Sequence, residues 1–209
     1  MEQKKLKYAA LLCLVLFIAG CLLASLLSKA DSSEWSNAEG SQIVISEILP
    51  SNRTYPGPEG QLLDFIEVHN LSANTVDISG FMLSDDLNSI GYTFPDGTVL
   101  PAYGYAVCWC SPNSEDSRYA SFGISREGGE TIYLYNGANV LVDEKEVPYT
   151  ESNTALIRVD EAAWEEAPWA TPGFPNTADG YAGWLSTVSG GDIQITITEI
   201  MTDNTCVTA

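Results

Sequence analysis

Beyond residue 30 the chain offers no long stretch in which apolar residues recur at a helical period. Turn residues cut it instead into short β-type runs. These are Ile43–Ile48, Phe65–Asn70, Thr75–Ile78, Phe81–Ser84, Tyr92–Phe94, Tyr105–Cys110, Thr131–Tyr135, Val140–Glu146 and Ala155–Val159. Between them stand Pro56-Gly57-Pro58-Glu59-Gly60, Ser79-Gly80, Pro95-Asp96-Gly97, Pro101-Ala102-Tyr103-Gly104, Gly128-Gly129 and Asn136-Gly137-Ala138-Asn139, the residue types that turns require. Many short strands at close spacing predict an all-β fold, and at this length a β-sandwich before a barrel. With 209 residues there is room for one domain of ordinary size, a targeting segment and a linker.

The targeting segment is expected at residues 1–30. Tyr8 to Ser28 is uncharged and mostly apolar, and Lys4, Lys5 and Lys7 precede it. That is about the roughly 20 residues a helix needs to cross a bilayer. Lysines before it and acidic sequence after it place the N-terminus inside and the rest outside. The expectation is therefore a signal-anchor or signal peptide, with the membrane as a partner through residues 8–28. The body would be extracytoplasmic, anchored at the cell surface or secreted. Three fates of the segment stay open: retention as an anchor, cleavage after Ala30, or lipidation of Cys21 within the lipobox-like Ile18-Ala19-Gly20-Cys21. Polar, small residues 31–41 then read as a linker.

Residues 1–30 hold four of the nine basic side chains and one of the 28 acidic ones, so the remainder carries 5 basic and 27 acidic residues and a formal charge of −22. Such a body repels nucleic acid. Cys13 and Cys21 lie in the apolar segment, which leaves Cys108, Cys110 and Cys206. Their odd number and spacing support neither a disulfide framework nor a metal cluster.

A repeat spans the chain. Ile43-Val44-Ile45-Ser46-Glu47-Ile48-Leu49-Pro50-Ser51-Asn52 returns as Ile195-Thr196-Ile197-Thr198-Glu199-Ile200-Met201-Thr202-Asp203-Asn204. Both copies alternate β-branched residues, follow with hydroxyl-Glu-Ile, and close on Asn. The expected organisation is a β-sandwich at 42–176, a linker at 177–192, and the start of a second, truncated repeat at 193–209.

Four blocks stand in order within the first unit: Ile45-Ser46-Glu47-Ile48; Asp64-Phe65-Ile66-Glu67-Val68-His69-Asn70; Asp77-Ile78-Ser79-Gly80-Phe81-Met82-Leu83-Ser84-Asp85-Asp86; and Trp164 with Trp169-Ala170-Thr171-Pro172-Gly173-Phe174-Pro175-Asn176. Over residues 42–176 this series resembles the bacterial lamin-tail domain. That pattern runs from a first strand with Asn/Ser-Glu-Ile, through Asp-Trp-Ile-Glu-Leu-Tyr-Asn and a Leu-Ser-Gly-Trp turn, to Pro-Thr-Pro-Gly-x-x-Asn. Phe65 and Phe81 replace Trp, His69 replaces Tyr, and Ala170 stands where Pro is common. The resemblance implies an immunoglobulin-like β-sandwich without an active site of its own, found in bacteria on surface or secreted proteins. Neighbouring domains there include nucleases, phosphatases and spore-coat-type kinases.

The residues themselves agree with a non-catalytic reading. His69 is the sole histidine, so multi-histidine metal sites are excluded and one base remains for any nucleophile. Strand alternation sends Phe65, Glu67 and His69 to one face and Asp64, Ile66, Val68 and Asn70 to the other. Cys108 and Cys110 share a face as buried small residues. Acidic side chains Glu47, Asp64, Glu67, Asp77, Asp85 and Asp86 are the candidate metal ligands, as oxygen donors for Ca²⁺, with solvated surface charge as the plainer alternative. Tyr92, Tyr103, Tyr105, Trp109, Tyr119 and Tyr149 are candidates for stacking on sugars or peptides. No other cofactor is implied. The expected function is a non-catalytic binding or spacer module of a longer surface protein, with an unknown surface protein or glycan as ligand. The rivals are the targeting arm of a surface enzyme and a calcium-dependent adhesion domain.

Overall fold

The computed structural model describes residues 42–160 and 162–188. The apolar segment 8–28, the linker 31–41, Cys21 and the repeat at 193–209 lie outside them. Strands β1 to β11 are Ile43–Leu49, Asp64–Asn70, Val76–Asp77, Met82–Ser84, Tyr92–Thr93, Val99–Leu100, Tyr105–Cys110, Glu130–Tyr135, Leu141–Val147, Ala155–Arg158 and Trp164–Ala167. A single α-helix among the described residues, α1, spans Ala178–Val188. All nine expected runs are strands, and β6 and β11 add to them. Two larger sheets result, ordered β11-β10-β1-β2-β7 and β5-β4-β8-β9, with a two-stranded β3-β6 ribbon beside them. All strand pairs are antiparallel, so the fold is all-β and sandwich-like.

Alternation explains the two cores. On β1 and β2, Ile43, Ile45, Ile48, Ile66 and Val68 point towards the four-stranded sheet and meet Leu83, Ile132 and Leu134 in one buried cluster. Cys108 and Cys110 join them from β7. The opposite face of the five-stranded sheet carries Leu49, Phe65, Ala155 and Ile157, which pack with Tyr55, Ala167, Ala170 and Trp184. Each such side chain, fully buried, contributes roughly 1.5–3 kcal/mol.

Part of the stretch expected as a linker at 177–192 covers that second face. Residues 178–188 are helical, because Thr177 Oγ1 accepts the Gly180 N–H at 3.0 Å as an N-terminal cap and Asp179 sits in the first turn. Tyr181 and Trp184 then share one helical face and enter the second core. A Cβ at position 180 would collide with the Pro175 carbonyl oxygen, so only glycine lets the helix start this close to the preceding loop.

The two sheets are clamped at β1. Its register shifts between Ile45 and Glu47, and β10 pairs with it only at Glu47 and Ile48. Ile45 instead donates its N–H to Asp143 Oδ2 on β9 at 2.8 Å and accepts from Arg158 Nε at 2.7 Å. Arg158 and Asp143 close the loop at 2.5 Å, both largely shielded from solvent.

Candidate functional site

Glu47 on β1 stands directly opposite Glu67 on β2, and both are fully buried. Two like charges in that position repel at close range. The loop that follows β11 resolves the conflict. Thr171 N donates to Glu47 Oε1 at 3.0 Å, and Gly173 N donates to Glu67 Oε2 at 2.7 Å. Ser46 Oγ donates to Glu67 Oε1 at 2.6 Å, and Asn176 Nδ2 donates to the Ser46 carbonyl at 2.8 Å. Residues 171–176 are thereby latched onto the centre of the sheet.

Thr171 Oγ1 lies 2.8 Å from Asn176 Oδ1 and 3.2 Å from Glu47 Oε2. Its hydroxyl is the donor in both contacts. Burial pushes the Glu47 carboxyl up to about 8, against the lowering effect of the Thr171 bonds. Burial, with the neighbouring Glu47, also holds Glu67 well above the usual carboxylate range. Burial thus favours the protonated form of both carboxyls.

The six carboxylates considered as calcium ligands do not share one site, although Asp64 and Asp85 both lie near enough to Glu130 to raise its pKa. Glu47 and Glu67 come together, but in the interior, with their oxygens engaged by the loop. Asp64, half-buried, accepts from Asn52 N at 2.9 Å and Ile124 N at 3.4 Å and pins the turns beyond β1 and β2. Asp77 accepts from Ser79 N at 2.9 Å in the turn at Gly80 (φ 75°), and the Ser79 hydroxyl, with that N–H, lowers its pKa. Asp86 accepts from Asn88 N at 2.9 Å, beside Asp85 in the same turn. Among the described residues no group of three or more His, Cys, Asp or Glu could hold a metal ion.

His69 is stacked on Tyr105, with ring centroids 4.1 Å apart and planes 14° from parallel. Burial lowers its pKa, opposed by a hydrogen bond to the Tyr103 backbone, and its Nε2 is enclosed without a partner. The serine lining the same cleft, Ser46, is 2 % exposed and donates to Glu67, so it is neither activated by His69 nor open to a substrate. Cys108 and Cys110 are free thiols in the main core, and burial pushes both pKa values up, which leaves them unreactive.

Two clefts open at the surface. The larger, about 560 Å³, lies between Ser46, His69 and Tyr105 on the sheet, Leu71, Arg158 and Val159 at its rim, and Pro175–Thr177 of the latch loop. The smaller, about 260 Å³, is lined by Ile90, Tyr92, Tyr119 and the polar residues of the 114–121 loop. Of the aromatics considered for stacking, Tyr105, Tyr92 and Tyr119 line clefts, Tyr103 and Tyr149 are exposed, and Trp109 packs on Phe65 with ring centroids 5.2 Å apart. Sequence reasoning missed Thr171 and Gly173 as the partners of the motif glutamates, and Asn176 as the partner of Thr171 and Ser46. The signal was there: a hydroxyl and an amide placed in a loop that two prolines keep from extending a ladder.

A β-sandwich whose motif carboxylates are latched inside it, and whose open features are shallow clefts, defines a structural or binding domain. The chain belongs to the lamin tail domain family, whose model matches residues 36–150. That family is a non-catalytic fold. The match stops before β10, β11 and the latch loop, although the sheet is incomplete without them. No curated protein matches the chain.

Proposed function

We propose that this chain is a non-catalytic binding and spacer module, an immunoglobulin-like sandwich tethered through residues 8–28 and displayed outside the cytoplasm. The observation that carries the reading is where the motif chemistry goes. Glu47, Glu67, Ser46, Thr171 and Asn176 bond one another inside the fold. The charge pattern supports the export: three lysines precede the apolar stretch and a −22 body follows it. Such a body is kept soluble and away from nucleic acid. Protease added to intact cells should digest the domain. Full protection would refute the topology.

A further inference from the structure

The two larger sheets differ in what lies on their outer faces. α1 and Tyr55 cover part of the five-stranded sheet through the second core, whereas the outer face of β5-β4-β8-β9 carries no α-helix among the described residues. Alternation sets what that face shows. Ile132 and Leu134 of β8 turn inward to the main core, so Thr131, Tyr133 and Tyr135 turn outward and are half-buried. On the neighbouring strand, β9, Glu144 pairs with Tyr133 and Glu146 with Thr131. Both glutamates are exposed.

The face thus presents two tyrosine rings, with centroids 6.4 Å apart and planes 36° from parallel, beside a row of two carboxylates. Among the described residues neither Glu144 nor Glu146 forms an ion pair. The one basic residue of these four strands, Lys145, points to the opposite face, with its Nζ 5.0 Å from the centre of the Trp164 ring. Tyrosine offers rigid contact area that costs little conformational entropy to fix, and its ring face attracts a cation. Carboxylates alongside select the same charge. Spacing adds a second constraint. An extended chain advances about 6.6 Å over two residues, close to the 6.4 Å between the rings, so basic side chains at alternate positions would meet both rings in register.

We propose that the outer face of β8 and β9 docks an extended segment of a partner protein that carries arginine or lysine at alternate positions. Its cations lie over Tyr133 and Tyr135 and pair with Glu144 and Glu146. The formal charge of −22 beyond residue 30 steers such a segment towards the body, and the tyrosine pair decides where it settles. The inference rests on the proposed binding role and is independent of the membrane tether.

The probe is a short peptide alternating arginine and threonine, titrated calorimetrically into the full chain held in nanodiscs of phosphatidylcholine, a lipid without net charge. The expected result is saturable binding that weakens by about tenfold in the double variant Tyr133→Thr, Tyr135→Thr, as two contacts between cation and ring are lost. Threonine suits an exposed strand position, and circular dichroism checks that the variant keeps its fold. The double variant Glu144→Gln, Glu146→Gln leaves the rings in place and should also weaken binding, with less sensitivity to salt. Binding that persists unchanged in the tyrosine variant overturns the inference, because the acidic body alone would then hold the peptide. So does the absence of saturable binding. Capture of a cello-oligosaccharide through the same tyrosines, with no peptide bound, also overturns it and leaves the binding role standing.

Discussion

At the scale of single residues, the lamin-tail motifs are solutions to a problem of buried charge. Glu47 and Glu67 face each other without a cation among their hydrogen-bond partners, so the folded state holds protons that the unfolded chain releases. Both carboxyls are raised from an ordinary value of 4.5, Glu47 to about 8. The pair therefore stabilises fully below about pH 4.5 and loses that contribution as pH rises through about 8. Denaturant melts at pH 7 and pH 9 should show lower stability at pH 9, and Glu67→Gln should flatten the difference. His69, whose pKa burial lowers from 6.5, acts in the opposite sense, adding stability as pH rises through its ordinary range. Thr171→Val removes the hydroxyl that bridges Asn176 and Glu47 and should cost about 1–3 kcal/mol at neutral pH in the same assay. Little of this was legible in sequence. Alternation correctly put Glu67 and His69 on one face, but it reads a carboxylate on an outer face as solvated. Only the loop folded over that face makes it interior.

At the scale of elements, what the sequence revealed depended on length and burial. The longer strands declared themselves by alternation and by turn residues. β6 is two residues long and stands directly before the turn at Pro101, and β11 is an edge strand of Trp164-Glu165-Glu166-Ala167 with both glutamates exposed, so neither shows an alternation of its own, whereas the equally short β3 and β5 lie within longer β-type runs. α1 contains Gly180 and Gly183 and follows Pro175-Asn176, which depresses intrinsic helix propensity. Its signals were the Thr177 cap and the Tyr181–Trp184 spacing, and tertiary packing does the rest. Trp184, 6 % exposed, ties the helix to the domain. Trp184→Ala should cost about 3–5 kcal/mol, read as a lower urea midpoint with an unchanged slope. No effect would show that α1 is an accessory and that the domain ends near residue 176.

At the scale of the whole molecule, the sandwich keeps its reactive groups inside and offers clefts and an acidic surface outside. Because no group of three or more carboxylates among the described residues is arranged to hold a metal ion, we expect no saturable heat when the chain is titrated calorimetrically with Ca²⁺. A micromolar site lost on Asp64→Asn would revive the adhesion reading. The central claim is that the motif residues hold the fold together and perform no chemistry. It is tested most directly by assaying the purified chain against broad esterase, phosphatase, nuclease and kinase substrates beside its His69→Ala and Glu67→Gln variants. The account predicts background rates for all three proteins. Turnover by the wild-type chain that either substitution abolishes while the fold persists would contradict it.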